Sequence, residues 1–513
     1  MKYVHYFETI AAFNTARDNN YLEPWVSYTE EGGGVAYNKD YTKIPFTIEA
    51  LGTGNITWGL GTKTVQYSKN GGSWTTMDSG TTISVIKGDE IQFKGNNSSY
   101  SYYDEDASDY VGNNLVSTVN CNVYGNIMSL TDGDNFENAN TVNEFAFYYL
   151  FSDYWEDISF PVVNAKNLKL PTTTLSNSCY QYMFYNCTSL TTAPALPATT
   201  LAGNCYLGMF QGCTSLITAP ELPATTLMYD CYNSMFEGCT SLTTAPELPA
   251  TTLADSCYYY MFSGCTSLTT APKLHATTLT YHCCQNMFSD CTSLTKAPEL
   301  PTTTLAQACY AGMFRGCTSL TTAPELPATT LDNSCYGSMF QGCTSLTTAP
   351  ELPATTLADG CYNRIFDGCT NLTTAPTLPA TTLAESCYSN MFKDCTSLTT
   401  APELPATTLA SSCYGSMFYG CTSLTTAPSL PATILVRYCY WNMFSGCSKL
   451  NYIKCLATNI SANNCTSDWV NGVASTGTFI KNSSMTAWTT GNNGIPTGWT
   501  VQQNGGGGGF YIE

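Results

Sequence analysis

Residues able to carry chemistry are scarce in this chain, and most of them recur on a fixed spacing. Only three histidines occur among 513 residues: His5, His275 and His282. One cluster draws notice, because His275, His282, Cys283 and Cys284 share a short stretch, and imidazole nitrogens with thiolates are zinc ligands. The same cluster also reads as drift within one repeat: Cys283 lies on a cysteine spacing that runs through the chain, His275 replaces a recurring proline, and Cys284 replaces a recurring tyrosine. There is no G-x-S-x-G elbow, no P-loop and no H-E-x-x-H. The expectation is a non-enzyme with no catalytic residue, cofactor or metal site.

Other side chains suggest recognition. Glu221, Glu247, Glu299, Glu325, Glu351 and Glu403 each follow a recurring proline. Stacked at the strand spacing of about 5 Å they would repel one another. Calcium could relieve this, as could solvation helped by the interruptions at Lys273 and Thr377. Trp58 and Trp74 read either as sugar-stacking platforms or as core. Positions that change from unit to unit carry Tyr259, Tyr260, Arg315, Arg364, Lys393, Tyr419 and Trp441. These form a candidate recognition face for a protein or glycan, although an unselected solvent face would vary as well.

The elements that must position these residues follow from the cysteines. Cys179, Cys205, Cys231, Cys257, Cys283, Cys309, Cys335, Cys361, Cys387, Cys413 and Cys439 stand 26 residues apart without insertion or deletion. A fixed period of this length marks a solenoid, whose units bury their apolar faces only against neighbours. Within a unit, Cys205, Met209 and Cys213 fall four apart and predict a short helix with one apolar stripe. The preceding Ser178, Asn204, Asp230, Ser256, Ser334, Ser386 and Ser412 suit its N-cap. Gly212 and its equivalents, replaced only by Asn186, Asp290 and Asp394, suit a left-handed stop. The Thr-rich stretch that follows predicts one strand per unit, ended by Pro194, Pro220 and their equivalents. Each unit places two cysteines eight apart, beyond disulfide reach along a helix, so these thiols are expected to be free core residues.

The run Met-Phe-x-Gly-Cys-Thr-Ser-Leu-Thr, with Phe184, Cys187, Leu190 and their later copies, resembles the Phe-x-x-Cys-x-x-Leu core of BspA-type leucine-rich repeats over residues 145–450. That family occurs on the surfaces of gut and oral anaerobes and in some of their phages. The resemblance implies a binding scaffold. The unit here is longer than the usual one by about three residues, and the extra length lies in the APELP stretch.

The expected fold is an α/β solenoid, leucine-rich-repeat-like, with 26-residue units and a parallel sheet, preceded by a small β-sandwich. Residues 1–45 form an arm in which Trp25, Tyr28, Tyr37 and Tyr41 are candidate attachment residues, and residues 46–130 form the sandwich. The solenoid runs over 131–447, with a degenerate first repeat at 131–178 and eleven regular repeats from 179. A C-terminal cap at 448–504 and a Gly hinge with tail at 505–513 complete the chain. The net charge of −19 argues against nucleic acid and anionic membranes as partners, and no apolar run is long enough to span a bilayer. The first twenty residues lack the apolar core of a signal peptide, so folding in a reducing cytoplasm is expected. Together these features point to a phage virion fibre or decoration protein. It would attach to other virion proteins through its N-terminal region, with the solenoid facing a host-surface protein or glycan. Homo-oligomerisation is compatible with this, and a bacterial cell-surface adhesin is the alternative.

Overall fold

The computed structural model describes residues 6–7, 34–35, 40–59, 63–104, 109–112, 114–152 and 160–504. Trp25, Tyr28, Tyr37 and the tail at 505–513 lie outside them. Strands β1 (Tyr6–Phe7) and β2 (Gly34–Val35) pair antiparallel. Next come β3 (Thr47–Ala50), β4 (Gly54–Trp58), β5 (Val65–Lys69), β6 (Thr75–Met77), β7 (Thr82–Val85) and β8 (Glu90–Lys94). They are followed by β9 (Ser101–Asp104), β10 (Asp109–Gly112), β11 (Leu115–Ser117) and β12 (Cys121–Asn126).

Two sheets share one core here. The larger runs β12-β3-β8-β5-β6, all antiparallel, and the smaller is β11-β4-β7. Strict alternation puts Ile91 and Phe93 of β8 and Ile56 and Trp58 of β4 inside. Asn70-Gly71 closes the β5–β6 hairpin with φ of 51° and 72°, as the two positive angles of a type I′ turn require. Trp58 is core: its ring meets Tyr100 edge-on at 5.4 Å and its Nε1 donates to Lys63 O at 2.8 Å. Trp74 is half-buried beneath the Lys94 ammonium, 4.5 Å from its ring centroid.

Strand β12 belongs to both regions. It pairs in parallel with β13 (Val162–Asn164) and β14 (Leu168–Lys169), and Asn164 bridges onward to Thr192. The antiparallel sheet thus continues into the parallel ladder of the solenoid with no break between them. On the opposite side, Phe147 N donates to Cys179 O and Phe151 N to Met183 O, an offset of 32 residues where later coils use 25. The first coil is therefore longer than the rest.

The solenoid differs from the expected α/β form in two ways. First, the Cys-to-Gly segment is not helical. Asn204, Gly208 and Gly212 have φ of 56°, 56° and 74°, and the same three positions are left-handed in every coil from 178 to 472. A left-handed residue every fourth position breaks an α-helix but still returns Cys205, Met209 and Cys213 to the core. The backbone hydrogen bonds alternate instead. Leu207, Met209 and Gln211 donate three residues back, whereas Tyr206, Gly208, Phe210 and Gly212 donate to the next coil at 2.7–3.1 Å. The residues expected to be N-caps, Ser178, Asn204, Asp230, Ser256, Ser334, Ser386 and Ser412, are left-handed turn residues with φ of 52–56°. Among the described residues the only α-helix is the single turn Ser129–Asp132, in the N-terminal region.

Second, the parallel sheet is reduced to bridges over most of its length. Thr192↔Thr218↔Thr244 form one column and Thr174↔Thr200↔Thr226↔Thr252↔Thr278 another. Pro194 and Pro197, with their copies, lie between the two columns and remove the N–H groups that would join them into a strand. At the C-terminal end strands return, first around Pro428, which stays, and then in three segments without proline. β15 (Thr426–Leu430), β16 (Tyr452–Cys455), β17 (Thr478–Asn482) and β18 (Thr500–Asn504) form a four-stranded parallel sheet. Among the described residues, all pairing within the solenoid is parallel.

The core is a set of columns. Phenylalanines from Phe184 to Phe444 stack at 5.5–5.8 Å. A tyrosine column runs beside them from Tyr180, interrupted at Cys284, to Tyr440. Trp469 ends both, 6.1 Å from Tyr440 and 6.2 Å from Phe444, and Trp488 stacks on it at 5.5 Å. All 26 cysteines are buried and unpaired. The second thiol of each unit donates to a Phe carbonyl of the preceding coil, as Cys213 does to Phe184 O at 3.1 Å. Cys465, assigned to the cap in the sequence reading, opens a further coil, with Asn464, Asp468 and Gly472 left-handed.

Candidate recognition face

The left-handed turns hold every third or fourth side chain outward, and the variable residues lie on this outer surface. Tyr419 and Trp441 are 37% and 41% exposed, Arg315 is exposed, and Tyr259, Tyr260, Arg364 and Lys393 are half-buried. Tyr260 and Arg364 occupy left-handed positions at φ of 51° and 57°, where bulky residues are strained by roughly 1–2 kcal/mol.

These residues form separate groups. Arg364 Nη1 pairs with Asp367 Oδ2 at 2.9 Å, and Gln341 Nε2 donates to the same oxygen at 3.0 Å. Lys393 reaches Asp367 at 3.6 Å and Asp394 at 3.0 Å, and lies 5.8 Å from the Tyr419 ring centroid. Arg364, Lys393 and Tyr419 therefore belong to one network that ties adjacent coils together. Tyr259 and Tyr260 meet edge-on at 4.4 Å beside His282, which contacts Tyr281 at 3.6 Å between centroids. Partial burial pushes His282 below the usual histidine range, opposed by Asp255. Trp441 stands apart, edge-on to Tyr438 at 6.2 Å. Sequence reasoning passed over the exposed Tyr229 and Tyr281, which show the same unit-to-unit variation two residues before the first cysteine.

Between these groups runs a groove of about 630 Å³ that crosses six coils from Tyr260 to Ser386. Its floor is made of Gly312, Gly337, Gly360, Ser334 and Ser338, and Gln285, Asn286, Arg315, Asn363, Asp359 and Glu385 border it. One wall is fixed by its own backbone: Asn333 Oδ1 accepts from Asp359 N at 3.2 Å, and Asp359 Oδ1 accepts from Glu385 N at 2.9 Å. A second hollow of about 700 Å³ lies on the proline side, lined by Lys296, Pro298, Leu300, Pro324 and Pro327 beside Glu299 and Glu325.

The glutamates Glu221, Glu247, Glu299, Glu325, Glu351 and Glu403 are all exposed, and Thr377 Oγ1 donates to Glu351 Oε2 at 2.7 Å. The histidine–cysteine cluster is divided, with His275 exposed and Cys283 and Cys284 buried. Among the described residues no group of three or more His, Cys, Asp or Glu could hold a metal ion. Of the candidate attachment residues, Tyr41 is the one the structure describes. It is buried in a 3₁₀ turn, edge-on to Tyr124 at 5.7 Å, with Lys169 over its ring.

The repeat columns match the family described as BspA type leucine-rich repeat region (6 copies), at residues 153–269, 177–302, 209–347 and 333–467. Together these matches cover more than half of the chain. The chain belongs to this family. In this BspA-type protein the recurring leucines, such as Leu190, Leu196 and Leu201, are buried, so the family pattern describes the core. The groove lies on the positions that the pattern leaves free. A search of the curated proteins found no match. Among the described residues no helix is long and apolar enough to cross a membrane.

Proposed function

We propose that the protein is a non-enzymatic surface-recognition protein, held by its N-terminal region and presenting the outer turn face of its solenoid to a host-surface protein or glycan. One observation carries this reading: each coil combines a nearly constant buried set with a variable exposed set, and the variable set borders a preformed groove. Family membership supports the same reading, since surface adhesion is what the family suggests. Within it, a phage virion fibre or decoration protein is the form we favour. The 26 unpaired buried thiols suit folding in a reducing cytoplasm, where virion proteins assemble. A bacterial surface adhesin rests on the family match itself.

Mass spectrometry of purified phage particles, alongside surface labelling of intact bacteria, tests the two. Recovery from particles supports the virion form, labelling on cells supports the adhesin, and absence from both overturns surface recognition. For attachment, deletion of 1–39 is the informative truncation, because it spares the Tyr41–Tyr124 contact. Loss of incorporation with the fold retained supports N-terminal attachment, and normal incorporation overturns it.

A further inference from the structure

We propose that the groove between Tyr260 and Glu385 binds a neutral oligosaccharide along its length, an inference that rests on the surface-recognition reading above.

The floor argues against a peptide. It is built from Gly312, Gly337, Gly360 and serines, with no aliphatic pocket to receive alternate side chains as strand- or helix-binding grooves provide. What borders it is planar and polar. Asn363 and Asn286 offer paired donors and acceptors, and Asp359 and Glu385 offer acceptors alone. Such groups match adjacent hydroxyls, which donate and accept side by side. Gln285 adds an unmet demand, because its Oε1 is buried without a hydrogen-bond partner. Gln285 lines the groove, so a turned amide can offer that oxygen to a ligand hydroxyl.

The end of the groove supplies the apolar half of sugar recognition. Tyr260 is held by Tyr259 at 4.4 Å, and Tyr259 lies 6.2 Å from His282. This small aromatic wall can face the C–H side of a ring while its polar tips stay wet. The wall bearing Asp359 and Glu385 is fixed by hydrogen bonds to the next coil, so little order must be gained on binding. Length also favours a chain over one ring: six coils span five strand spacings, roughly 24 Å.

Charge selects among glycans. Arg315 is the one cation lining the groove, opposed by two carboxylates, in a protein of net charge −19. Sialylated, sulfated or uronate chains would be repelled, and neutral ones would not.

The test is affinity electrophoresis of the full chain in native gels containing yeast mannan, galactomannan, xyloglucan or mixed-linkage β-glucan, with alginate and heparin as acidic counterparts. Retardation by at least one neutral polysaccharide and by neither acidic one is expected. Gly337→Trp fills the floor, and its backbone is not left-handed. Tyr260→Gly removes the aromatic end at a register position where Gly208 and Gly312 already stand, so the backbone accepts it without strain. Each variant should weaken retention by about tenfold or more while melting as the parent does. Unchanged retention in both variants, or retention by the acidic gels alone, overturns the proposal. Adhesion to bacterial cells, before and after periodate has cleaved vicinal diols, separates the two levels. Loss after periodate supports the glycan. Undiminished adhesion overturns it and leaves surface recognition standing, with a protein as its ligand. Adhesion to no surface removes both.

Discussion

Phe46 in the sheet region and Phe314 in the solenoid are both fully buried, but they are held in place by different neighbours. Phe46 contacts Phe93, which lies far along the chain and has no copy, and Phe151, where the phenylalanine column of the solenoid begins. Phe314 lies between Phe288 and Phe340, each 5.8 Å away and each its own equivalent 26 residues off. The sheet region is thus one cooperative core of unlike parts, and the solenoid is a row of like interfaces. A defect should spread through the first and stay local in the second.

The strongest test of this contrast pairs Trp58→Ala with Phe314→Ala. Each should cost about 3–5 kcal/mol. Hydrogen exchange should show faster exchange throughout residues 46–130 for Trp58→Ala, and only in the coils near 288–340 for Phe314→Ala. Uniform loss of protection along the solenoid would break the comparison.

A second test uses pH. Burial pushes the Cys205, Cys335, Cys387 and Cys439 thiols up to about 12, and most other register thiols also lie above their usual value. Groups raised in this way contribute stability that is intact below the ordinary thiol range near 9 and is lost as pH climbs towards 12. The solenoid should therefore melt earlier with each step above pH 9. Asp89 in the sheet region behaves oppositely. Hydrogen bonds from Asn70 and Lys69, and from the Ile86 N–H, hold it at about 2. Its contribution is present above pH 4 and fades towards pH 2. Circular dichroism melts at both extremes, with Asp89→Asn as the acid control, should separate the regions.

A smaller effect tests how coils crowd one another. Gly316 and Gly342 have φ of 71° and 75°. An added Cβ on Gly342 meets only the Gly316 backbone, Cα and N each at 3.7 Å, so Gly342→Ala should cost about 1–2 kcal/mol from backbone strain. On Gly316 the same Cβ would collide with Asp290 Oδ1, so Gly316→Ala should cost more, and Asp290→Gly should recover the difference. Thermal denaturation reads both.

Buried hydroxyls give a last contrast of regions. Tyr100 OH donates to the buried Leu130 carbonyl, so Tyr100→Phe should lose about 1–3 kcal/mol. The Tyr232 hydroxyl is buried without a partner, so Tyr232→Phe should be neutral or stabilising by up to about 1 kcal/mol. Chemical denaturation of the two variants measures the difference.

The same contrast governs how much could be read from the sequence. The period, the buried cysteines and the Asn70-Gly71 hairpin follow from local residue types. The type of backbone in the Cys-to-Gly segment did not, because spacings of four serve a helix and a chain of left-handed turns equally well. A signal was available in the three positions holding Gly, Asn, Ser or Asp at four-residue intervals, but Tyr260, Arg364 and His282 among them obscured it. The strand was overcalled because one proline per unit was treated as its end, whereas Pro194 and Pro197 sit inside it. For the candidate face, sequence variation picked out Tyr260 and Arg315 at the groove. It could not show that Arg364 and Lys393 are occupied by Asp367, since that contact depends on which coil lies beside which.

The alternating hydrogen bonds of the turn segment also bear on mechanics. Every second N–H points along the solenoid axis to the next coil, so a pull between the ends loads the interfaces in series and opens them one coil at a time. A coil that lets go releases 26 residues, roughly 85 Å of slack once its folded rise is subtracted, while its neighbours keep their columns. A tether built this way would lengthen in even steps under load, absorbing drag without parting from what it holds.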